Sequence, residues 1–199
     1  MSFLRFFQRM INATRILDFL APLALRLYLA PIFWMAGVSK FSDIESTATW
    51  FGNPDWGLGL PYPTILAWLT ASTEIIGAVL LVIGLAVRWV SIPLMFAMAV
   101  AMVSVHWQHG WQAIADTKFC LFNCGDAQEA AERLNAAKEI LQQHGHYDWL
   151  TGQGSIVVLN NGIEFAATYF IMLLVLFFIG AGRFISFDFW IDRKIKRSL

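Results

Sequence analysis

The chain has 199 residues, of which 58% are hydrophobic and only 14% are charged, and its formal net charge is zero. Soluble domains carry about 25% charged and 45–50% apolar residues, so this composition indicates a membrane protein. The neutral balance provides no basic field for nucleic acid, and we predict no nucleic-acid partner.

The chain begins with a basic, amphipathic segment, MSFLRFFQRMINATR, that is similar to the start of a signal peptide. The apolar run that follows it is long, and no A-x-A-like cleavage site comes after that run. We therefore predict that the first helix is retained and not cleaved.

Four apolar segments approach the ~20 residues that a helix needs to cross about 30 Å of hydrocarbon. Their continuous apolar character favours helices over barrel strands, because each backbone group in lipid needs an internal partner. The sequence therefore predicts an all-α membrane protein with four transmembrane helices in a bundle, in a single domain over residues 1–199. The predicted spans are Phe19–Ser39, Thr64–Val87, Trp89–Trp107 and Gly162–Gly182.

Basic side chains flank these spans, and such flanks lie on the cytoplasmic side of most membrane proteins. If four helices cross the bilayer, all the basic flanks of this chain fall on one side. We therefore predict a multi-pass protein of a bacterial-type inner membrane, with both termini in the cytoplasm and two loops outside. The residues concerned are Arg5, Arg9, Arg15, Arg88, Arg183, Arg193, Lys194, Lys196 and Arg197.

The two outer loops differ in length. The first, FSDIESTATWFGNPDWGLGLPYP, is either an interfacial loop or a lid over a site between the helices. The second is an insertion at about residues 108–161, and connections this long are usually functional or carry structure of their own. Within it, DAQEAAERLNAAKEILQQH has a narrow apolar stripe of Ala and Leu at helical spacing. We predict an additional amphipathic helix there, lying on protein or on the membrane surface.

Cys120 and Cys124 are the only cysteines in the chain. The predicted topology places both in an oxidising compartment, where an even cysteine count favours a disulfide. The bond is either a structural staple or a redox-active pair, although its C-x-x-x-C spacing differs from the C-x-x-C of thiol–disulfide oxidoreductases. A metal site that adds His106 and His109 is a weaker alternative, and we predict no metal.

Ionisable residues within membrane segments are candidates for functional sites. Arg26 and Glu74 lie at comparable depth, and a helical stripe aims Arg26 into the bundle, so we predict an ion pair between them. That pair either fixes the register of the helices or forms a polar site for a quinone head group, a proton or an anion. The predicted intramembrane site consists of Arg26, Lys40, Glu74, His106 and Glu164, with Lys40, His106 and Glu164 near the outer surface.

Three stretches resemble the DoxX family: RLYLAPIFWMAGVSKF, EIIGAVLLVIGLAVRW and EFAATYFIMLLVLFFIGAGRFISFD. The resemblance implies a four-helix inner-membrane protein. Related chains belong to terminal-oxidase-associated subunits and to thiosulfate:quinone oxidoreductase. Arg26, Lys40, Glu74 and His106 are the candidate positions that the resemblance carries over. The insertion with the two cysteines departs from the shorter family pattern.

These observations favour a redox-associated membrane subunit that is linked to quinone or to a redox partner on the outer side. Cys120 and Cys124 are its candidate catalytic residues. No flavin, dinucleotide, c-type haem or iron–sulfur motif is present, so quinone is the only cofactor we predict. The alternatives are a non-enzymatic anchor or accessory subunit for a periplasmic or peptide-modifying system, and transport through the polar residues. The expected partners are the bilayer and an outer-side protein, and self-association into a homo-oligomer stays open.

Overall fold

The computed structural model of the chain describes residues 3, 7, 8, 12, 14–116 and 121–198. Every regular element within these residues is helical, and extended pairing is limited to one antiparallel bridge between Ile114 and Leu159. The predicted all-α class is therefore confirmed. The backbone divides into two compact units, residues 1–97 with 169–199 and residues 98–168. Whether residues 1–199 form a single domain stays a prediction.

Eight α-helices and three short turns of other helical type follow one another in the described residues. A 3₁₀ turn over Thr14–Leu17 precedes the first helix, and the helix α4 continues through a π turn, Met102–His106, into a 3₁₀ turn, Trp107–His109. The helices are α1 Leu20–Ser42, α2 Ile44–Gly52, α3 Pro63–Ile83, α4 Val87–Ala101, α5 Cys124–His144, α6 Tyr147–Thr151, α7 Glu164–Ile179 and α8 Phe187–Ser198.

Among the residues that the structure describes, three helical stretches are long and apolar enough to cross a membrane: Thr14–Ser42, Pro63–Ile83 and Val87–His109. They correspond to the first three predicted spans. The fourth predicted span coincides with α7, which is apolar but has only 16 residues. A helix of that length rises about 24 Å, less than the thickness of the hydrocarbon core. Helix length and composition therefore support three of the four predicted spans.

α1 and α3 pack closely against each other. The face of α1 that carries Arg26, Ala30, Phe33 and Gly37 is buried, as the predicted stripe requires. A Cβ atom placed on Gly37 would lie 2.7 Å from Ile75 Cγ1, nearer than side-chain atoms approach each other. Glycine at this position therefore allows the two helices to approach closely, as small residues do between membrane helices.

α2 lies in the loop between the first two predicted spans, where the sequence predicts either an interfacial loop or a lid. Asp43 caps it by accepting a hydrogen bond of 3.1 Å from the backbone N–H of Ser46. This bond lowers the pKa of the Asp43 carboxyl below its usual value. Ala48 and Phe51 of α2 pack on Ala67 of α3. The first loop thus forms a helix that covers the first half of α3.

The turn between α3 and α4 lies three residues earlier than the sequence predicts. α3 ends at Ile83 because Gly84 adopts a left-handed conformation with φ of 69° and its N–H bonds to the carbonyl of Leu80. Glycine adopts this conformation at little cost, which makes it a frequent helix terminator. Arg88, which we expected in the turn, lies instead in the first turn of α4.

The second unit holds two backbone stretches side by side, residues 110–115 and 158–164. Backbone hydrogen bonds join them, for example from the N–H of Ala115 to the carbonyl of Val158 and from the N–H of Gly162 to the carbonyl of Gln112. α5 forms where the sequence predicts a helix in the insertion. Ala127 of its apolar stripe is buried, and what covers the rest of the stripe stays a prediction.

Candidate functional site

The strongest candidate site is an ion pair between α1 and α3, the Lys40–Glu74 pair. Lys40 Nζ lies 2.9 Å from Oε1 and 2.7 Å from Oε2 of Glu74, so the ammonium group donates to both carboxylate oxygens. The Glu74 side chain is 3% exposed and that of Lys40 is 26% exposed. The carboxylate is therefore enclosed, whereas the Lys40 side chain is partly exposed.

The predicted Arg26–Glu74 ion pair is wrong, because the Glu74 carboxylate binds Lys40. Lys40 lies in the last turn of α1, and its placement near the outer surface stays a prediction. Glu74 lies 11 residues after Pro63, the first residue of α3, and that distance corresponds to about 16 Å along the helix. Because α2 covers the first half of α3, the end of α1 lies beside the middle of α3 and places Lys40 next to Glu74.

Arg26 lies in a second polar cluster, the Arg26 cluster, which consists of its guanidinium and three backbone carbonyl groups. Nη1 donates to Ala181 at 2.5 Å, and Nη2 donates to Ile185 at 2.8 Å and to Val82 at 3.4 Å. The side chain is fully buried. Val82 is the penultimate residue of α3, so its carbonyl has no partner within that helix. The cation also faces the negative end of the α3 dipole, which stabilises it.

Asp188 lies at the same end of the first unit as the Arg26 cluster. Its carboxylate accepts hydrogen bonds from the backbone N–H groups of Ala86, at 2.7 Å, and Val87, at 3.0 Å. An acid at this position neutralises the positive end of α4. The Asp188 charge also attracts the Arg26 guanidinium. The α3–α4 turn and the start of α8 are thereby joined around Arg26.

His106 and Glu164 belong to the second unit, where each binds backbone. His106 Nδ1 lies 2.8 Å from the carbonyl oxygen of Asn161. Glu164 Oε2 accepts a hydrogen bond of 3.0 Å from the N–H of Ala113. Both contacts fasten the stretches around residues 106–116 and 158–164 to each other. A continuous polar path that joins them to Arg26, Lys40 and Glu74 stays a prediction.

The cysteine pair is described only in part. Cys124 is the first residue of α5, and Cys120 lies outside the described residues. The predicted disulfide and its redox role therefore remain predictions. Within residues 14–116 and 121–198, no group of three or more His, Cys, Asp or Glu side chains is arranged to hold a metal ion.

An apolar groove of about 400 Å³ lies between α1 and α3. Its walls include Pro31 and Trp34 on α1 and Val79 and Val82 on α3. At 100° per residue, Lys40 and Pro31 lie about 180° apart around α1. The residues that line the groove are all hydrophobic, so the groove does not supply a polar ligand site.

The sequence-based prediction did not identify the carbonyl groups that accept hydrogen bonds from Arg26. Main-chain carbonyl groups have no signature in the sequence, so Ala181 and Ile185 could not have been chosen from residue type. Asp188 does carry a signal, since an acid shortly after a Gly-rich helix end, in GAGRFISFD, can cap a neighbouring helix.

Residues 21–107 match the family model of DoxX. These residues, which make up less than half of the chain, are similar to the DoxX domain. The match covers the segment that holds α1 to α4, and with them Arg26, Lys40, Glu74 and His106. The family resemblance predicted from the sequence is confirmed.

One relative of this chain is the protein of Bacillus subtilis (strain 168) named "Putative oxidoreductase CatD". The two are 36% identical over 83 residues, which make up 42% of this chain and 58% of the relative. This chain thus matches less than two thirds of the length of that relative. No solved structure shows significant similarity to the chain.

Proposed function

We propose that this DoxX protein is a membrane subunit of an oxidoreductase system and that its Lys40–Glu74 pair binds the head group of a quinone. The observation that supports this most directly is an enclosed carboxylate paired with a partly exposed lysine beside the middle of an apolar span. Charged groups at such positions are costly in lipid and usually serve a function. The name of the related Bacillus protein also supports a redox role.

The chemistry of the pair suits a quinone. Two N–H groups of Lys40 are used by Glu74, and the remaining contact, with the carbonyl of Ala36, is long at 3.4 Å. A quinone oxygen would be a better acceptor for that third N–H group. Reduction of a quinone to a quinol consumes two electrons and two protons, and the pair would hold protons next to the ring oxygen. Oxidation of a Cys120–Cys124 dithiol to a disulfide would release two electrons and two protons, the number that the quinone takes up.

We also propose a topology for this function. α7, together with the irregular residues 180–186, would be the fourth crossing of a bundle in a bacterial-type inner membrane. Both termini would then lie in the cytoplasm, and the insertion that contains α5 would lie outside. The basic flanks of the spans support this orientation.

Substitution of Glu74 tests the proposed quinone site. We expect the purified full-length protein to bind decylubiquinone or menadione, and Glu74→Gln and Lys40→Met to weaken that binding by about 10-fold to 100-fold. Each removes one charge-assisted interaction, and such interactions contribute about 1.5–3 kcal/mol. The measurements are titration of each quinone into detergent-solubilised protein and mass spectrometry of quinone that co-purifies with it.

Glu45→Gln is the matched control, because Glu45 is an exposed acid in the first turn of α2. The Glu45→Gln variant undergoes the same chemical change as Glu74→Gln, and it should leave quinone binding unaltered. Thermal unfolding of each variant separates loss of binding from loss of folding. Equal affinity of the Lys40→Met variant and the unmodified protein for both quinones would contradict the proposed site.

A docking platform for an outer-side protein is the second candidate function. In the second unit, Trp149 of α6 is 80% exposed, and Leu150, Val157 and Leu159 are exposed as well. Exposed aromatic residues of this kind are typical of the centres of protein interfaces. This observation favours an accessory subunit that recruits a partner and has no turnover of its own.

A photo-crosslinking residue placed at position 149 tests this second function. We expect illumination of intact cells to join the chain to one defined protein, which mass spectrometry identifies. The same residue at Gln143, an exposed polar position on α5, should give no such product. Equal labelling at the two positions would show that Trp149 is not at a specific interface.

A further inference from the structure

α8 is an amphipathic helix that lacks packing partners over most of its length. Residues 191–198 are all exposed, and four apolar residues among those of α8 are each between 46% and 58% exposed. At 100° per residue, these four lie within a stripe about 140° wide. They are Phe187, Trp190, Ile191 and Ile195.

The start of α8, by contrast, is held firmly. The N–H of Asp188 donates to the carbonyl of Gly84 at 3.0 Å, and the Asp188 carboxylate caps α4. Trp190 Nε1 donates to the carbonyl of Phe184 at 2.8 Å. These hydrogen bonds therefore hold the first residues of α8 at a fixed point beside the α3–α4 turn.

That fixed point lies where two membrane spans meet. α3 has 21 residues and ends at this turn, and α4 begins there. A helix of 21 residues rises about 31 Å, the thickness of the hydrocarbon core, so its end reaches the surface of the bilayer. Trp89, 77% exposed in the first turn of α4, is a residue type that favours this boundary.

The charge of α8 is positive and largely unbalanced. Of its two acids, Asp188 binds the N–H groups of α4, and Asp192 pairs with Lys196 at 2.7 Å. In the part of the chain that the structure describes, no carboxylate pairs with Arg193, Lys194 or Arg197. A surface of opposite charge would therefore complement this helix.

We infer that α8 lies on the bilayer surface and binds the head groups of anionic lipids. Its apolar stripe faces the acyl boundary, as amphipathic surface helices do. Arg193, Lys194 and Arg197 reach the phosphate groups, because basic residues near an anionic surface are attracted to its head groups. The leaflet that contacts the α3–α4 turn is thus the leaflet whose composition this protein senses.

Hydrogen exchange of the full-length protein in single-copy nanodiscs tests this inference. We expect the backbone amides of residues 190–198 to exchange roughly tenfold more slowly in discs that contain phosphatidylglycerol than in discs of phosphatidylcholine alone. The triple variant R193Q/K194Q/R197Q should lose this difference. The variant I191S/I195S should lose the protection in anionic discs, because its apolar stripe is broken.

The double variant R133Q/K138Q is the matched control, since it removes two basic charges from α5 and leaves α8 unchanged. It should keep the tenfold difference. Equal exchange in the two kinds of disc would overturn the inference, as would a lipid-dependent difference that survives in the triple variant. Protection found only in discs with two copies would assign the surface to a second chain instead.

Discussion

Arg26→Met should lower the melting temperature of the detergent-solubilised protein by about 10 °C, which corresponds to roughly 3–5 kcal/mol for a chain of this size. Methionine keeps an unbranched side chain but has no donors, so the carbonyl groups of Val82, Ala181 and Ile185 would lose their bonds to the side chain. A buried acceptor left without a donor costs about 1–3 kcal/mol. Nε contributes nothing to this loss, because it is buried without a hydrogen-bond partner.

Arg26→Lys should cause an intermediate loss. Lysine keeps the charge, but its single ammonium group cannot reproduce the planar fork that reaches three carbonyl groups at once. Tryptophan fluorescence during heating provides the measurement, and size-exclusion chromatography reports the folded fraction. Recovery of part of the stability by lysine would show that the cation itself, and not only the shape of the side chain, is needed.

Arg133→Met is the control for both variants. Arg133 is exposed on α5 and forms an exposed pair with Glu129, so its loss should change stability by less than about 1 kcal/mol. If Arg26→Met melts within about 2 °C of the unmodified protein, the Arg26 cluster does not stabilise the fold.

Gly37→Val is expected to separate α1 from α3 and to abolish the Lys40–Glu74 pair. The new side chain would collide with Ile75, including its backbone nitrogen, which lies 3.0 Å from the ideal Cβ position. Overpacking of this kind costs about 1–3 kcal/mol. Helix propensity works in the opposite direction, because valine favours a helix more than glycine does. Any destabilisation therefore comes from the contact with α3.

The Gly37 variant has two measurable outcomes. Its melting temperature should fall by several degrees, as about 1–3 kcal/mol implies, and its affinity for quinone should fall to that of Glu74→Gln. Gly125→Val is the matched control, since nothing lies within 4 Å of a Cβ atom at Gly125. Unaltered stability together with full quinone binding would show that the helices tolerate a wider spacing.

Hydropathy and periodicity were enough to predict much of the first unit. The first three spans coincide with apolar helices, and the buried face of α1 is the one that the stripe of Arg26, Ala30, Phe33 and Gly37 indicates. These features succeed because they depend on local composition. The family resemblance likewise depends on residues within one contiguous segment.

The partners of the charged residues were predicted less well. Depth was estimated from the ends of the apolar runs, and that estimate ignored α2, which moves the end of α1 to the middle of α3. The aspartate that caps α2, Asp43, is the signal that would have corrected it. The acceptors of Arg26 could not have been found in this way, because they are backbone carbonyl groups set by the path of residues 181–185.

The Arg26 cluster also has a consequence for biosynthesis. Its bond to Ala181 joins residues 155 positions apart in the chain. A ribosome delivers α1, α3 and α4 to the membrane before it has made the segment that supplies two of the three acceptors. During that interval the newly made chain holds an incompletely paired arginine in its first span. Synthesis of residues 181–185 supplies the two missing acceptors, so the arginine becomes fully paired only after the later helices have been made.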